Sequence, residues 1–228
     1  MQSAPSPQPP ETPALPTLEA GVTLLETDTA PGPLQSLVLD HLLVTDGAAL
    51  WVDSKGRATT AALGRLAPSR RLLGRISVAR GFTPYQHYSL VQTLRERLVD
   101  AAGDVALVVV PVVDHQYRAE DLQGLDGAEL CREVAHDLAA IATDHDVPVL
   151  VTRAAADELS RPIADVAAET IACEQTQFGP RFTGSGFETL VYRDGQYLQT
   201  TLAFWGEVLA ERATAVADTT EVASVGAY

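Results

Sequence analysis

The feature that most constrains the fold is Val105–Val110, VALVVV, a run with no polar interruption. A strand with one wet face alternates apolar and polar positions. A run apolar at every position therefore belongs to a central strand covered on both faces, as strands of parallel sheets are. Residues 147–152, VPVLVT, repeat the pattern, and a helical stretch over Gly127–His145 lies between the two runs. Strands alternating with helices predict an α/β fold with a mainly parallel sheet.

The same alternation starts near Gly21. VTLLET, PLQSLVLDHLLV, ALWVD, a basic helical segment through APSRRLLG, RISVAR and a long helix over residues 85–102 follow in turn. Beyond residue 168 the pattern changes. ETIACEQT, FETLVYRDG and QYLQTTLAF, separated by glycine-rich turns, predict an antiparallel edge. The proline-dense residues 1–19 cannot offset the entropy of ordering and are expected to be a disordered tail. Residues 212–228 are expected to fray. One domain over residues 20–211 remains, a size suited to a single core.

Thirty acidic residues against sixteen basic ones give a net charge of -14, and Lys55 is the only lysine. Such a surface repels phosphates and argues against strong autonomous DNA binding. It is also what a salt-rich cytoplasm selects, because high net charge keeps the surface hydrated. Cys131 and Cys173 lack any CxxC or Cys/His spacing and read as buried, reduced thiols. His41, His87, His136 and His145 are scattered over different helices, so no metal site is expected. No stretch matches a membrane span or a signal peptide, which predicts a cytoplasmic protein without a membrane partner.

Three segments carry a family resemblance. RISVARGFTPYQHYSLVQTL (residues 75–94), LVVVPVVDHQYRAEDL (residues 107–122) and VPVLVT (residues 147–152) resemble the corresponding pieces of RadA-type recombinases of the RecA superfamily. The resemblance spans residues 20–205. It implies a RecA-like P-loop NTPase fold: a mainly parallel central sheet flanked by helices, with antiparallel strands at the C-terminal edge.

The resemblance also fixes where ATP chemistry would sit, and those positions have changed. After its first strand the family carries GxxxxGK[ST], whose amides and lysine hold phosphates and whose hydroxyl holds magnesium. Here the stretch runs from Thr27 and Asp28 to Gly32, Pro33 and Leu34, keeping the second glycine and losing the lysine and the hydroxyl. Where an Asp-Thr-Glu pattern supplies a water-activating glutamate, this chain has Asp53-Ser54-Lys55, and a cation cannot be that base. Where the Walker B aspartate organises magnesium, Pro111 stands, and Asp114 is three residues too late.

The sequence thus reads as a pseudo-ATPase with no catalytic residue and no cofactor. ATP and magnesium enter only under an alternative, an ATP-binding or weakly hydrolysing enzyme working through Lys55 and Asp114. Asp114-His115 and Thr152-Arg153 lie at strand ends where open α/β sheets place ligands. In the two loops the family uses for DNA, Arg118, Arg153 and Arg161 are the candidate phosphate contacts. Glu120, Asp121, Asp126, Asp157 and Glu158 oppose them there. A stronger basic group is Arg65, Arg70, Arg71 and Arg75 on the α-helical segment before RISVAR. The implied function is an accessory or regulatory subunit in DNA recombination or repair, with a recombinase-type protein partner and weak DNA contact at most. A regulatory scaffold outside recombination is the other alternative. Residues 1–20 carry no Phe-x-x-Ala motif, so self-polymerisation is not expected.

Overall fold

A computed structural model of the chain describes residues 15–27, 32–101, 104–119, 122, 126–176, 179–190 and 201–225. Its strands are β1 (Gly21–Thr27), β2 (Ala48–Asp53), β3 (Ile76–Arg80), β4 (Val105–Val110), β5 (Pro148–Val151), β6 (Glu169–Thr176), β7 (Gly179–Gly184) and β8 (Phe187–Leu190). They form one sheet in the order β3-β2-β4-β5-β1-β6-β7-β8. The first six run parallel, while β7 and β8 are antiparallel to their neighbours. The helices are α1 (Pro33–Val44), α2 (Thr60–Leu66), α3 (Arg70–Leu73), α4 (Pro84–Ala101), α5 (Gly127–His145), α6 (Arg161–Asp165) and α7 (Thr201–Val225).

The sheet separates two cores, and β4 shows why its sequence is apolar throughout. Leu107 and Val109 join the core on the α1 side, and Val108 and Val110 join the core under α4 and α5. All four are fully buried. Each such side chain contributes roughly 1.5–3 kcal/mol relative to exposure. Helix α1 is itself enclosed, with Pro33 through Leu42 buried between the sheet and the helices α2 and α7. A helix apolar on most of its surface has no other stable place. Two of its buried polar groups are partnered across the core: His41 Nε2 meets the Ala106 carbonyl at 3.0 Å, and the Asp40 carboxylate accepts from Arg212, whereas the buried Ser36 hydroxyl has no partner among the described residues.

Several boundaries differ from the sequence reading. Leu15 and Leu18, placed in the tail, are buried in the α1-side core, so ordered packing begins before residue 20; residues 1–14 lie outside the described residues. ETIACEQT was expected in an antiparallel edge, yet β6 pairs parallel with β1, and the antiparallel part is β7 and β8. The expected strand QYLQTTLAF overlaps α7 from Thr201 onward. Trp205, Val208 and Leu209 are spaced for one helical face, and all three are buried in the α1-side core. The expected fraying at residue 212 is replaced by helix to Val225, anchored by the Arg212–Asp40 ion pair. The basic segment through APSRRLLG is two short helices broken at Pro68. Among the described residues no helix is long and apolar enough to cross a membrane.

Candidate functional site

In an open parallel sheet the loops leaving the carboxyl ends of the strands meet along one edge, the usual place for a ligand. Here the loops after β2, β3, β4 and β5 meet there, and the chain's own side chains stitch them together. Ser54 Oγ donates to the Pro111 carbonyl at 3.2 Å. The amides of Val112 and Val113 donate to Thr152 Oγ1 at 2.8 Å and to the Thr152 carbonyl at 3.0 Å. Gln116 Nε2 donates to the carbonyls of Ser54 and Gly81 at 3.2 and 3.1 Å. Val112 sits at φ 52°, in the left-handed region that a β-branched residue rarely adopts. That turn lets the chain leave β4 and bring Asp114 to the Ala154 amide just after β5.

Gly32 is the N-cap of α1, and Pro33 occupies the first helical position, where a missing N–H costs nothing. The Gly32 amide donates to Gln35 Oε1 at 3.0 Å, and Gln35 Nε2 donates to the Arg57 carbonyl at 2.9 Å. Gln35 is buried, so a side chain of the helix itself occupies the position where amides at a helix start would face an anion. Leu34 is buried in the α1-side core. Thr27 ends β1, and Asp28 lies outside the described residues.

Three carboxylates reach this edge, and each is held by an arginine. Asp53, fully buried, accepts from the Arg57 amide at 2.8 Å and from Arg80 Nε at 3.2 Å. Asp114, also fully buried, accepts from Arg118 Nε at 2.7 Å and from the Ala154 amide at 2.6 Å. Glu26 pairs with Arg153. Pro111 is buried at the end of β4 and offers only its carbonyl. Lys55 is exposed on the loop after β2, and after desolvation its charge is the next largest cause lowering the His115 pKa below the ordinary imidazole value.

The candidate phosphate contacts are likewise engaged. Arg118 also donates to both oxygens of Asp157, at 2.7 and 2.8 Å, and this pairing holds the Asp157 carboxyl well below the usual carboxylate range. Arg161 is exposed, with Glu158 at 3.5 Å and Asp165 at 3.9 Å. Arg75, grouped with Arg65, Arg70 and Arg71 by sequence, is turned inward and donates to the carbonyls of Leu42, Thr45 and Gly47.

Two features escaped sequence reasoning. Gln35 had a signal, because Gln at the third helical position reaches back to the cap amide. The pair of His87 and Tyr117 had none. These residues stand thirty positions apart and meet only in the fold, His87 Nδ1 lying 2.7 Å from the Tyr117 hydroxyl. Burial lowers the His87 pKa to about 4, with the His115 charge adding to it, and raises that of Tyr117. Among the described residues His87 Nε2 has no partner. Gly81 allows the close approach of α4 at His87, since a Cβ there would lie 2.8 Å from the His87 backbone nitrogen. Among the described residues no three His, Cys, Asp or Glu side chains are grouped to hold a metal ion. No protein-family model matches this chain, and no curated protein matches it.

Proposed function

We propose that the chain is a non-catalytic member of the RecA/RadA-type fold family that acts as an accessory or regulatory subunit beside a recombinase or repair factor. The observation that carries the reading is the closed carboxyl edge. Asp53, Asp114 and Glu26, described acidic groups at this edge, are each neutralised by an arginine, and Gln35 fills the start of α1. Magnesium binding needs free carboxylate or hydroxyl oxygens, and triphosphate binding needs free amides and a cation beside them. The described residues at this edge do not fit a magnesium nucleotide, and no hydrolytic step is derived from them.

The sheet supports the family assignment, because a mainly parallel sheet with antiparallel strands at its C-terminal edge is the arrangement the resemblance implies. The packing of one ATPase domain against the next that this family uses survives loss of chemistry. Among the described residues strand β3 is paired on one side only, which leaves an edge for such packing.

The test uses the full chain. Calorimetry with ATP and magnesium is expected to show no binding, and measurable heat would overturn the non-catalytic half of the proposal. Titrating the chain into a RadA-type recombinase on single-stranded DNA is expected to change the recombinase's ATPase rate and to give co-sedimentation, both lost in Val78→Asp. No effect on either would overturn the accessory half.

A further inference from the structure

Charge is segregated along this chain, and one face of the fold collects the basic part. Residues 54–95 hold eight of the sixteen basic residues and none of the thirty acidic ones, which leaves eight basic against thirty acidic elsewhere. Three arginines of that segment are used internally: Arg75 on backbone carbonyls, Arg80 on Asp53 and Arg95 on Asp144. The other five cations, Lys55, Arg57, Arg65, Arg70 and Arg71, have no ion pair among the described residues. All five belong to residues 54–73, the stretch that leaves β2 and forms α2 and α3.

This stretch is two-sided. Leu63, Leu66 and Leu72 turn into the α1-side core, whereas Lys55, Arg65, Arg70 and Arg71 are exposed. Exposed arginines elsewhere find carboxylates: Arg161 has Glu158 and Asp165, and Arg181 has Glu174 and Glu188. On α2 and α3 no carboxylate lies three or four positions away to do the same, so the cations face outward with their donors open. Arginine presents those donors as a planar fork that holds a carboxylate through two hydrogen bonds.

We propose that the outer face of α2 and α3 docks a short acidic segment of a partner protein. Its carboxylates are held by Arg65, Arg70 and Arg71, with Lys55 and Arg57 at the end next to β2. Complementary charge of this kind selects the partner and sets its register. Pairs made at contact distance also outlast salt, whose Debye length is about 3 Å at 1 M, better than attraction acting across solvent. A nucleic acid fits the face less well. Residues 54–73 include no aromatic side chain on which unpaired bases could stack. One turn of a duplex runs for roughly 34 Å, whereas α2 is about 10 Å long. A duplex would therefore continue over acidic surface, beginning with Glu207 and Glu211 on α7, which packs beside α2. A short acidic segment ends where the cations end. The face is independent of the accessory-subunit reading, which the recombinase titration decides separately.

The test is fluorescence anisotropy of the full chain with a labelled hexapeptide alternating Asp and Glu, with its Asn/Gln counterpart, and with a short DNA duplex. At low salt the acidic peptide is expected to bind about tenfold more tightly than the neutral one. Arg70→Glu/Arg71→Glu should erase that preference with the circular dichroism spectrum unchanged, and the milder Arg70→Gln/Arg71→Gln should reduce it. Arg97→Glu/Arg132→Glu makes the same charge change as the first variant on exposed residues of α4 and α5, across the sheet, and should keep most of the preference. Equal loss in the two glutamate variants would overturn the proposal in favour of net charge alone. Equal binding of the two peptides, or binding of neither, would overturn it outright. Tighter binding of the duplex, lost in Arg70→Glu/Arg71→Glu, would overturn it in favour of nucleic acid. A doubled mass in sedimentation, relieved by the same variant, would overturn it in favour of a second copy of this chain.

Discussion

Lowering the pH should unfold this protein partly through His87, and the size of the effect follows from its surroundings. The imidazole is fully buried, touches the Tyr117 hydroxyl through Nδ1, and has no acceptor for a second proton at Nε2 among the described residues. Its pKa is lowered from 6.5 to about 4. The unfolded chain therefore binds a proton here before the folded one does. Stability from this group is complete above pH 6.5 and declines as pH falls toward 4. By linkage the loss is about 2 kcal/mol at pH 5 and approaches roughly 3 kcal/mol below pH 4. His41 and His115 are also lowered by burial, so the native protein alone does not isolate the effect. His87→Asn keeps an acceptor for the Tyr117 hydroxyl and removes the titrating ring. Urea midpoints of both proteins at pH 7.5, 6.5, 5.5 and 5.0, at fixed ionic strength, make the comparison. The variant should be less stable than the native chain at pH 7.5 and should lose about 2 kcal/mol less on going to pH 5. Parallel pH profiles would refute the reasoning and mean that the ring finds water or an acceptor when protonated.

Arg118→Ala leaves the buried Asp114 carboxylate with only the Ala154 amide and should cost about 2–4 kcal/mol in urea unfolding, whereas Arg161→Ala, at an exposed pair, should cost under about 0.5 kcal/mol. Gln35→Ala removes the acceptor for the Gly32 cap amide and the bond joining α1 to the loop after β2, and should destabilise by about 1–2 kcal/mol in the same assay. The thiols of Cys131 and Cys173 are pushed up to about 12 by burial, so both should resist a thiol-titrating disulfide reagent at pH 8 in the folded protein and react at once in denaturant.

The central strands were legible because their burial on two faces leaves no alternative to a continuous apolar run, and β4 and β5 lie where VALVVV and VPVLVT predict. Gly127–His145 was legible to the residue, since Asp126 is a side-chain cap and the apolar positions keep helical spacing. The C-terminal segment misled because QYLQTT has strand-like composition, and the signal from Trp205, Val208 and Leu209 becomes decisive only when a core is present to receive them. At the carboxyl edge the sequence showed which groups stood at the expected positions. It did not show that Asp53, Asp114 and Glu26 had each acquired an arginine, because those pairings join residues 27, 4 and 127 positions apart. Arg75 was misgrouped for the same reason, its partners being carbonyls at the end of α1.

The burial of α1 also sets an order of events during synthesis. The core under α4 and α5 draws on residues 22–163, whereas the core around α1 is unfinished until Trp205, Val208 and Leu209 arrive on α7. At translation rates of about 5–20 residues per second, α1 waits roughly ten to thirty seconds for its cover. During that interval the face of α1 that α7 covers stays open. A ribosome paused within residues 164–200 would hold the chain in that state, with one finished face and one adhesive face.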